Sequence, residues 1–316
     1  MVYRLPMREI CICPACTNPL SRVVAEATAE ARERFIAFSG KKYRGLMDPW
    51  LDQFALRVRQ CGGCGHAWYA QQPSHDQLMA MYDASQPLRP GEAKHEPSPS
   101  MRREMARLRR LSPAQTPTLL DYGAGSGRWA AAAVETGFRV TAFEPSRTRT
   151  QERHGIIVIH ELDDLAGPFD VVNLEQVLEH LPDPASVLSD IRGLCRDRTV
   201  VRITVPNLRR APEGTDLWRV WPFDGSRPHT LAPFEHLHGF TPESLSILIG
   251  RAGFRPLPDW RCARGFTLHT ARQALGRALP QVRSTKLLVQ PFEQASHGAP
   301  NNAAPTRERT ESLSQH

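Results

Sequence analysis

Residues 118–145, TLLDYGAGSGRWAAAAVETGFRVTAFEP, leave this chain few choices of fold. An apolar run, Leu119 and Leu120, ends in Asp121 and reads as a buried strand. Gly123, Gly125 and Gly127 follow at alternate positions, where the backbone must turn tightly and lie close to a ligand. An alanine-rich helix is expected over residues 128–136, closed by Gly137. A second strand over 139–143 then delivers Glu144. This is the first βαβ half of a nucleotide-binding, doubly wound sheet. An acidic residue at the end of its second strand is suited to accept hydrogen bonds from both hydroxyls of a ribose.

The spacing separates cofactors. A dinucleotide fingerprint needs a third glycine in G-x-G-x-x-G, and counting from Gly123 that place is held by Arg128. The NAD and FAD form therefore fails.

Downstream, the alternation of strand and helix continues. Strands are expected over 156–159, 169–174 and 199–205, with helices over 185–195 and from Thr241, which caps a helix that has Pro242 in its first turn. A last strand is expected over 286–291. A turn carrying Asp163 and Asp164 follows the strand over 156–159. Residues 151–154 read as the close of a helix, 208–240 as irregular, and 292–316 as a disordered polar tail.

The N-terminal part carries different chemistry. Cys13-Pro-Ala-Cys16 and Cys61-Gly-Gly-Cys64 are two C-x-x-C pairs, each able to form a knuckle presenting two thiolates. Together they complete a tetrahedral four-cysteine zinc site without an open position, which is structural rather than catalytic. Seven cysteines so arranged point to metal in a reducing, cytoplasmic setting rather than to disulfides. Cys11 and His66 stand in reserve as ligands, and Cys195 and Cys262 read as small buried apolar residues. Between the pairs a helix is expected over 21–38 and an amphipathic stretch over 50–56. After them comes a helix over 71–85 with Ser74 as N-cap and Leu78, Met81 and Tyr82 on one face.

The net charge is +7, spread mostly over arginines, and the densest patch is residues 101–110, MRREMARLRR. A basic helix can grip nucleic acid, but its commoner meaning is a solvated helix face. No run of eighteen apolar residues exists, so no membrane-spanning helix is expected, and the N-terminus lacks the apolar core of a signal peptide.

Taken together, LLDYGAGSGRW, FDVVNLEQVLEHLPDP and EHLHGFTPESLSILIGRAGF resemble class I S-adenosylmethionine (SAM) methyltransferases of the small-molecule type. The cysteine pairs ahead of them are similar to the zinc-bearing sugar C-methyltransferases. The resemblance implies an α/β fold, a Rossmann-like seven-stranded sheet with helices on both faces and its last strand antiparallel beside the fifth, preceded by a small zinc-ribbon module. It implies a zinc-ribbon-like module over residues 1–85, a linker and basic helix over 86–112, a methyltransferase domain over 113–291 and a tail over 292–316. Asp121, Gly123, Ala124, Gly125 and Gly127 would shape the pocket for the methionine part of SAM. Glu144 would hold the ribose, Asp163 and Asp164 flank the adenine, and Glu175 and Gln176 face the methyl donor.

A hydroxyl or carbon nucleophile needs a base, and histidine suits neutral pH. His180 in LEHLP and His236 in FEHLH are the candidates. The sugar enzymes use Tyr-x-Glu-His; Glu235 and His236 match its end, but Pro233 stands at the tyrosine. Ubiquinone-pathway O-methyltransferases pair a metal-binding glutamate with histidine, as Glu179 and His180 stand here, but Gln176 replaces their earlier ligand glutamate, so no catalytic divalent ion is expected. The acceptor is expected to be a small molecule, possible classes being a sugar nucleotide or carbohydrate intermediate. RNA is the competing acceptor, with the zinc module and basic helix as its grip; against it, the fourth strand ends in NLEQ rather than the proline-aromatic motif that stacks a flipped base. A SAM-binding protein without catalysis is the third reading.

Overall fold

The computed structural model describes residues 8–51, 54–85, 96–148, 154–208, 230–257 and 284–292. The expectations for the linker at 86–95, the helix end at 151–153, residues 209–229, Cys262 and the tail from 293 lie outside these residues.

The N-terminal part runs β1 (Arg8–Glu9), β2 (Ser21–Glu26), α1 (Ala29–Lys42), α2 (Asp48–Leu51), β3 (Arg57–Cys61), β4 (Ala67–Tyr69), β5 (Gln71–Gln72) and α3 (His75–Ser85). The helix expected over 21–38 is corrected at its start. Residues 21–26 pair antiparallel with β3 instead, and the helix begins after Thr28, whose hydroxyl accepts from the Ala31 N–H. The adjacent β-branched Val23 and Val24 suit a pleated edge, and the N-cap sets the boundary. Where 50–56 reads as one amphipathic stretch, the described part is the end of a single turn, α2, and residues 54–56, which lie in neither helix nor strand.

The remaining chain runs α4 (Pro99–Leu111), β6 (Thr118–Tyr122), α5 (Arg128–Glu135), β7 (Arg139–Phe143), β8 (Ile156–Ile159), β9 (Phe169–Glu175), α6 (Pro184–Gly193), β10 (Cys195–Pro206), β11 (His238–Gly239), α7 (Pro242–Arg251), β12 (Phe254–Pro256) and β13 (Ser284–Pro291). Seven strands form one sheet in the order β12-β13-β10-β9-β6-β7-β8. The pairs from β10 to β8 are parallel, whereas β13 is antiparallel to both β10 and β12. The fold is thus the expected α/β, Rossmann-like, seven-stranded sheet. The order reverses between β6 and β9, so the crevice at their carboxyl ends is where a ligand binds in such sheets.

Successive strand residues face opposite ways, and each face has its own cover. Leu120, Val172 and Ile203 pack with Leu188 and Ile191 of α6 and Leu245 and Leu248 of α7. Leu119, Val171 and Val200 pack with Met105, Leu108 and Leu111 of α4 and the alanines of α5. The basic helix is therefore a core helix. Its Arg102 pairs with Glu135, and Arg109 donates to the Ala114 and Gln115 carbonyls.

The N-terminal part shares its interior with the sheet domain. Phe35, Tyr43, Phe54 and Tyr69 form a second core with Leu231, Phe234 and Leu237, the rings of Phe54 and Phe234 lying 4.7 Å apart. β11 extends the N-terminal sheet by pairing with β4. Beneath this joint His66 and His238 stack, Nε2 to Nδ1 at 3.1 Å, both fully buried.

This pair has a measurable consequence. Burial pushes the His238 imidazole down from 6.5 to about 4. Above pH 6.5 both folded and unfolded chains are neutral there. As pH falls toward 4, only the unfolded chain takes the proton, so stability is lost by on the order of 3 kcal/mol. Thermal denaturation across this range should show a flatter pH dependence in His238→Gln than in the wild type; equal slopes would refute the assignment.

Candidate functional site

The glycine loop leaves β6 and turns under the end of β7. The Gly123 and Ala124 N–H groups both donate to the Phe143 carbonyl, at 2.8 and 3.0 Å. Gly123, Gly125 and Gly127 all have positive φ. At Gly123 a Cβ would also sit 2.8 Å from a Val177 methyl, so both conformation and space demand glycine there. Glu144 is buried, and its carboxylate takes the Gly125 N–H at 2.8 Å and the Ser146 N–H at 3.2 Å. Each carboxylate oxygen retains a second lone pair for a ligand hydroxyl. The loop is thereby tied to the acid at the end of β7. Asp163 and Asp164 stand exposed in a single 3-10 turn after β8. Ala124 is buried in the loop.

Asp121 lies beneath the loop rather than in the crevice, only 2% exposed. One oxygen accepts from Asn173 at 2.7 Å and the other has no hydrogen-bond partner. Burial raises its carboxyl to about 6, against the lowering effect of Asn173. In-register pairing of β6, β9 and β10 sets Asp121, Asn173 and Arg202 side by side. Arg202 donates to Asn173 at 2.7 Å, pairs with Glu175 at 2.5 Å and lies over the Trp129 ring at 4.4 Å. Thr204 donates to the same Glu175 oxygen at 2.7 Å. Asn173, Arg202 and Thr204, which join the expected Asp121 and Glu175 in one buried polar row and lock Glu175 in place, are not among the expected site residues. Their sequence signal was an asparagine and an arginine interrupting otherwise apolar strands.

Beyond Glu175 the chain is strained: Gln176 has φ +54. Left-handed non-glycine residues cost energy and concentrate at functional sites. A 3-10 turn, Leu178–His180, follows. His180 Nδ1 lies 2.8 Å from the Glu235 carbonyl and 2.6 Å from the Tyr82 hydroxyl, and its ring meets that of His236 edge-on at 4.6 Å. Phe234, preceding this second pair, is also left-handed, with φ +65. Glu235 accepts from the Tyr43 hydroxyl at 2.8 Å and pairs with Lys42. Glu179 is fully buried, with neither carboxylate oxygen hydrogen-bonded. Burial, and then the Glu175 charge, raise its carboxyl to about 8.

Two of these partners come from the N-terminal part. Tyr43 caps the end of α1, and Tyr82 lies in α3. The adjacent residue, Asp83, accepts from the Ser146 hydroxyl at 2.5 Å, just past Glu144. Tyr82 and Asp83 thus join the histidine cluster to the Glu144 end of the crevice.

In the N-terminal part, the sulfurs of Cys13, Cys16, Cys61 and Cys64 all lie within 4.8 Å of one another. The Cys13–Cys64 and Cys16–Cys61 separations are 3.6 and 3.5 Å. Sulfurs bound tetrahedrally to zinc at about 2.3 Å stand about 3.8 Å apart, so the donor set fits that ion. Its chemistry agrees: the hydrogen bond from Cys13 holds the Cys64 thiol down to about 5, while the reverse contact drives Cys13 up. The reserve ligands are excluded from the cluster by position, Cys11 being exposed and His66 engaged with His238.

A family model described as a methyltransferase domain matches residues 95–258, just over half of the chain. The chain belongs to this methyltransferase family. The chain is also 29% identical over 148 residues to the ubiquinone biosynthesis O-methyltransferase of Caulobacter vibrioides, covering 36% of this chain and 59% of that protein. It thus spans about three-fifths of that relative's length. Among solved structures, it is similar to the Burkholderia thailandensis 1,6-didemethyltoxoflavin-N1-methyltransferase at 20% identity, with TM-score 0.40 over 61% of this chain and 79% of that one. Human N-acetylserotonin methyltransferase matches at 14% identity, with TM-score 0.45 over 83% of this chain and 70% of that one. No helix among the described residues is long and apolar enough to cross a membrane.

Proposed function

We propose that this methyltransferase uses SAM to methylate a small molecule held at the histidine end of β9. One observation carries the reading: neighbouring residues of α3, Tyr82 and Asp83, touch His180 and the turn after Glu144, so donor and acceptor sites adjoin. Bound SAM supplies a methyl group already activated on a sulfonium. The chain's task is alignment, exclusion of water and removal of a proton. Gly123, Ala124, Gly125 and Gly127 form the loop against which the methionine part lies, shaped from below by Asp121. Glu144 takes the ribose hydroxyls, and Asp163 and Asp164 flank the adenine. Glu175 and Gln176 stand at the methyl. On the acceptor side His236 and His180 offer imidazole bases, with Glu235 oriented by Tyr43 and Lys42.

The acceptor class we favour is a hydroxylated small molecule such as a carbohydrate intermediate. Support comes from the Glu235–His236 pair and from Tyr43, whose hydroxyl reaches Glu235 although Pro233 occupies the expected tyrosine position. We assign structural zinc to Cys13, Cys16, Cys61 and Cys64. Methyl-labelled SAM incubated with the protein and a fractionated extract should place label in the small-molecule fraction. Label in RNA, or calorimetry showing no SAM binding, would overturn the proposal.

A further inference from the structure

We propose that Glu179, His180 and His236 form a second metal site, for a divalent first-row transition ion, separate from the four cysteines. One donor atom from each of the three residues lies within 4.8 Å of the others. His180 Nε2 and Glu179 Oε1 are 3.9 Å apart, a separation that one ion can bridge. The Glu235 carbonyl beside His180 Nδ1 can only accept, whereas the Tyr82 hydroxyl at 2.6 Å from the same atom can donate or accept, so both contacts are hydrogen bonds only when Nδ1 carries the hydrogen. In the neutral ring the lone pair is then on Nε2, the atom facing Glu179. A histidine held through its other nitrogen by a backbone carbonyl is the usual support for a metal ligand.

Glu179 supplies the independent observation. It is 0% exposed, and both of its oxygens lack a hydrogen-bond partner. A buried carboxylate without donors is costly, and a cation beside it removes the cost. Gln176 argued against an ion in the sequence, because it stands where a ligand glutamate is found in a related arrangement. The folded chain supplies the missing donor from another segment, as His236. Two imidazoles and one carboxylate suit zinc, cobalt, manganese or iron rather than magnesium or calcium. Three protein ligands leave positions open, the pattern of a working rather than a structural ion. His180 is 25% exposed, so the site has access to solvent.

The ion's role in chemistry rests on the methyl-transfer reading; the site itself does not. An acceptor oxygen taking an open position loses its proton to solvent more readily. That oxygen then forms the new O–C bond as the C–S bond breaks and its electron pair stays on sulfur. The two histidines then hold the ion instead of receiving the proton.

The test uses full-length protein loaded with one equivalent of zinc at the cysteines, titrated with Co2+. One equivalent of Co2+ should bind, with a spectrum that lacks thiolate-to-metal charge transfer. Affinity should fall at least tenfold in both Glu179→Gln and His236→Gln, each checked for an unchanged melting profile. A third variant remote from the cluster, Arg255→Ala on β12, should retain binding. Absence of Co2+ binding, a thiolate band from displaced zinc, or wild-type affinity in both ligand variants would overturn the site. SAM calorimetry on the same samples keeps the two proposals apart: cobalt binding without SAM binding removes only the methyl-transfer reading, and the reverse removes only the metal.

Discussion

Removing zinc from the four-cysteine site, by chelation or by Cys61→Ser, is expected to unfold more than the N-terminal part. A structural zinc site contributes on the order of 10 kcal/mol, comparable with the whole stability of a domain. Here that energy is not confined to the knuckles. Cys13, Cys61 and Cys64 are buried in one cluster with Leu245, Leu248 and Ile249 of α7. The Thr241 hydroxyl, which caps α7, also donates to the Cys64 carbonyl at 3.1 Å. Arg251, at the other end of α7, donates to the Ala15 carbonyl at 2.7 Å. β4, which follows the second knuckle, holds β11, just beyond His236.

Loss of the ion should therefore release α7, β11 and the Glu235–His236 segment together. Hydrogen exchange would detect this as lost protection at His238, Gly239 and along α7, with β6 and β7 less affected. The thermal midpoint should fall by well over ten degrees, since 1 kcal/mol shifts a domain of this size by about 2–4 °C. A chelated protein with unchanged midpoint and unchanged exchange at β11 would show that the cysteines do not hold a structural ion.

The parts of this protein that were legible in sequence are those built from local pattern. The strand, glycine turn and helix at 118–136 follow from apolar runs and from conformations that only glycine adopts cheaply, so β6, α5 and β7 fall where expected. Ser74 and Thr241 cap helices as their side chains dictate. Residues 21–26 misled because V-V-A-E carries no strong alternation, and pairing with β3 decides it. β12, three residues long, has too little sequence to announce itself and exists by pairing with β13.

The histidine cluster was half legible. His180 and His236 stand in readable motifs, but their meeting, and the arrival of Tyr43 and Tyr82, joins four segments distant in sequence. Such a juxtaposition depends on how the N-terminal part packs on the sheet, which no local pattern encodes. The same holds for Glu104 of α4, which reaches Lys286 of β13 at 2.8 Å across nearly the whole domain.

Glu144→Ala is expected to weaken SAM binding by about a hundredfold. Two charge-assisted hydrogen bonds to the ribose, at about 1.5 kcal/mol each, account for a loss of that size. The structure adds a second route to the same loss. Glu144 is the acceptor for the Gly125 and Ser146 N–H groups, so alanine leaves both without their partner and unties the glycine loop from the turn after β7. Ser146 also holds Asp83, so the change should propagate to α3. Glu144→Gln separates the two routes. Its amide keeps the volume and one acceptor oxygen, but it turns an N–H toward one of the two backbone donors. Affinity should then be intermediate between alanine and wild type, with a smaller loss of thermal stability than alanine shows. Calorimetry that finds SAM affinity unchanged in Glu144→Ala would remove this residue from the nucleoside site. An equal loss in both variants, with stability intact, would assign the effect to the ribose contact alone and leave the loop ordered without Glu144.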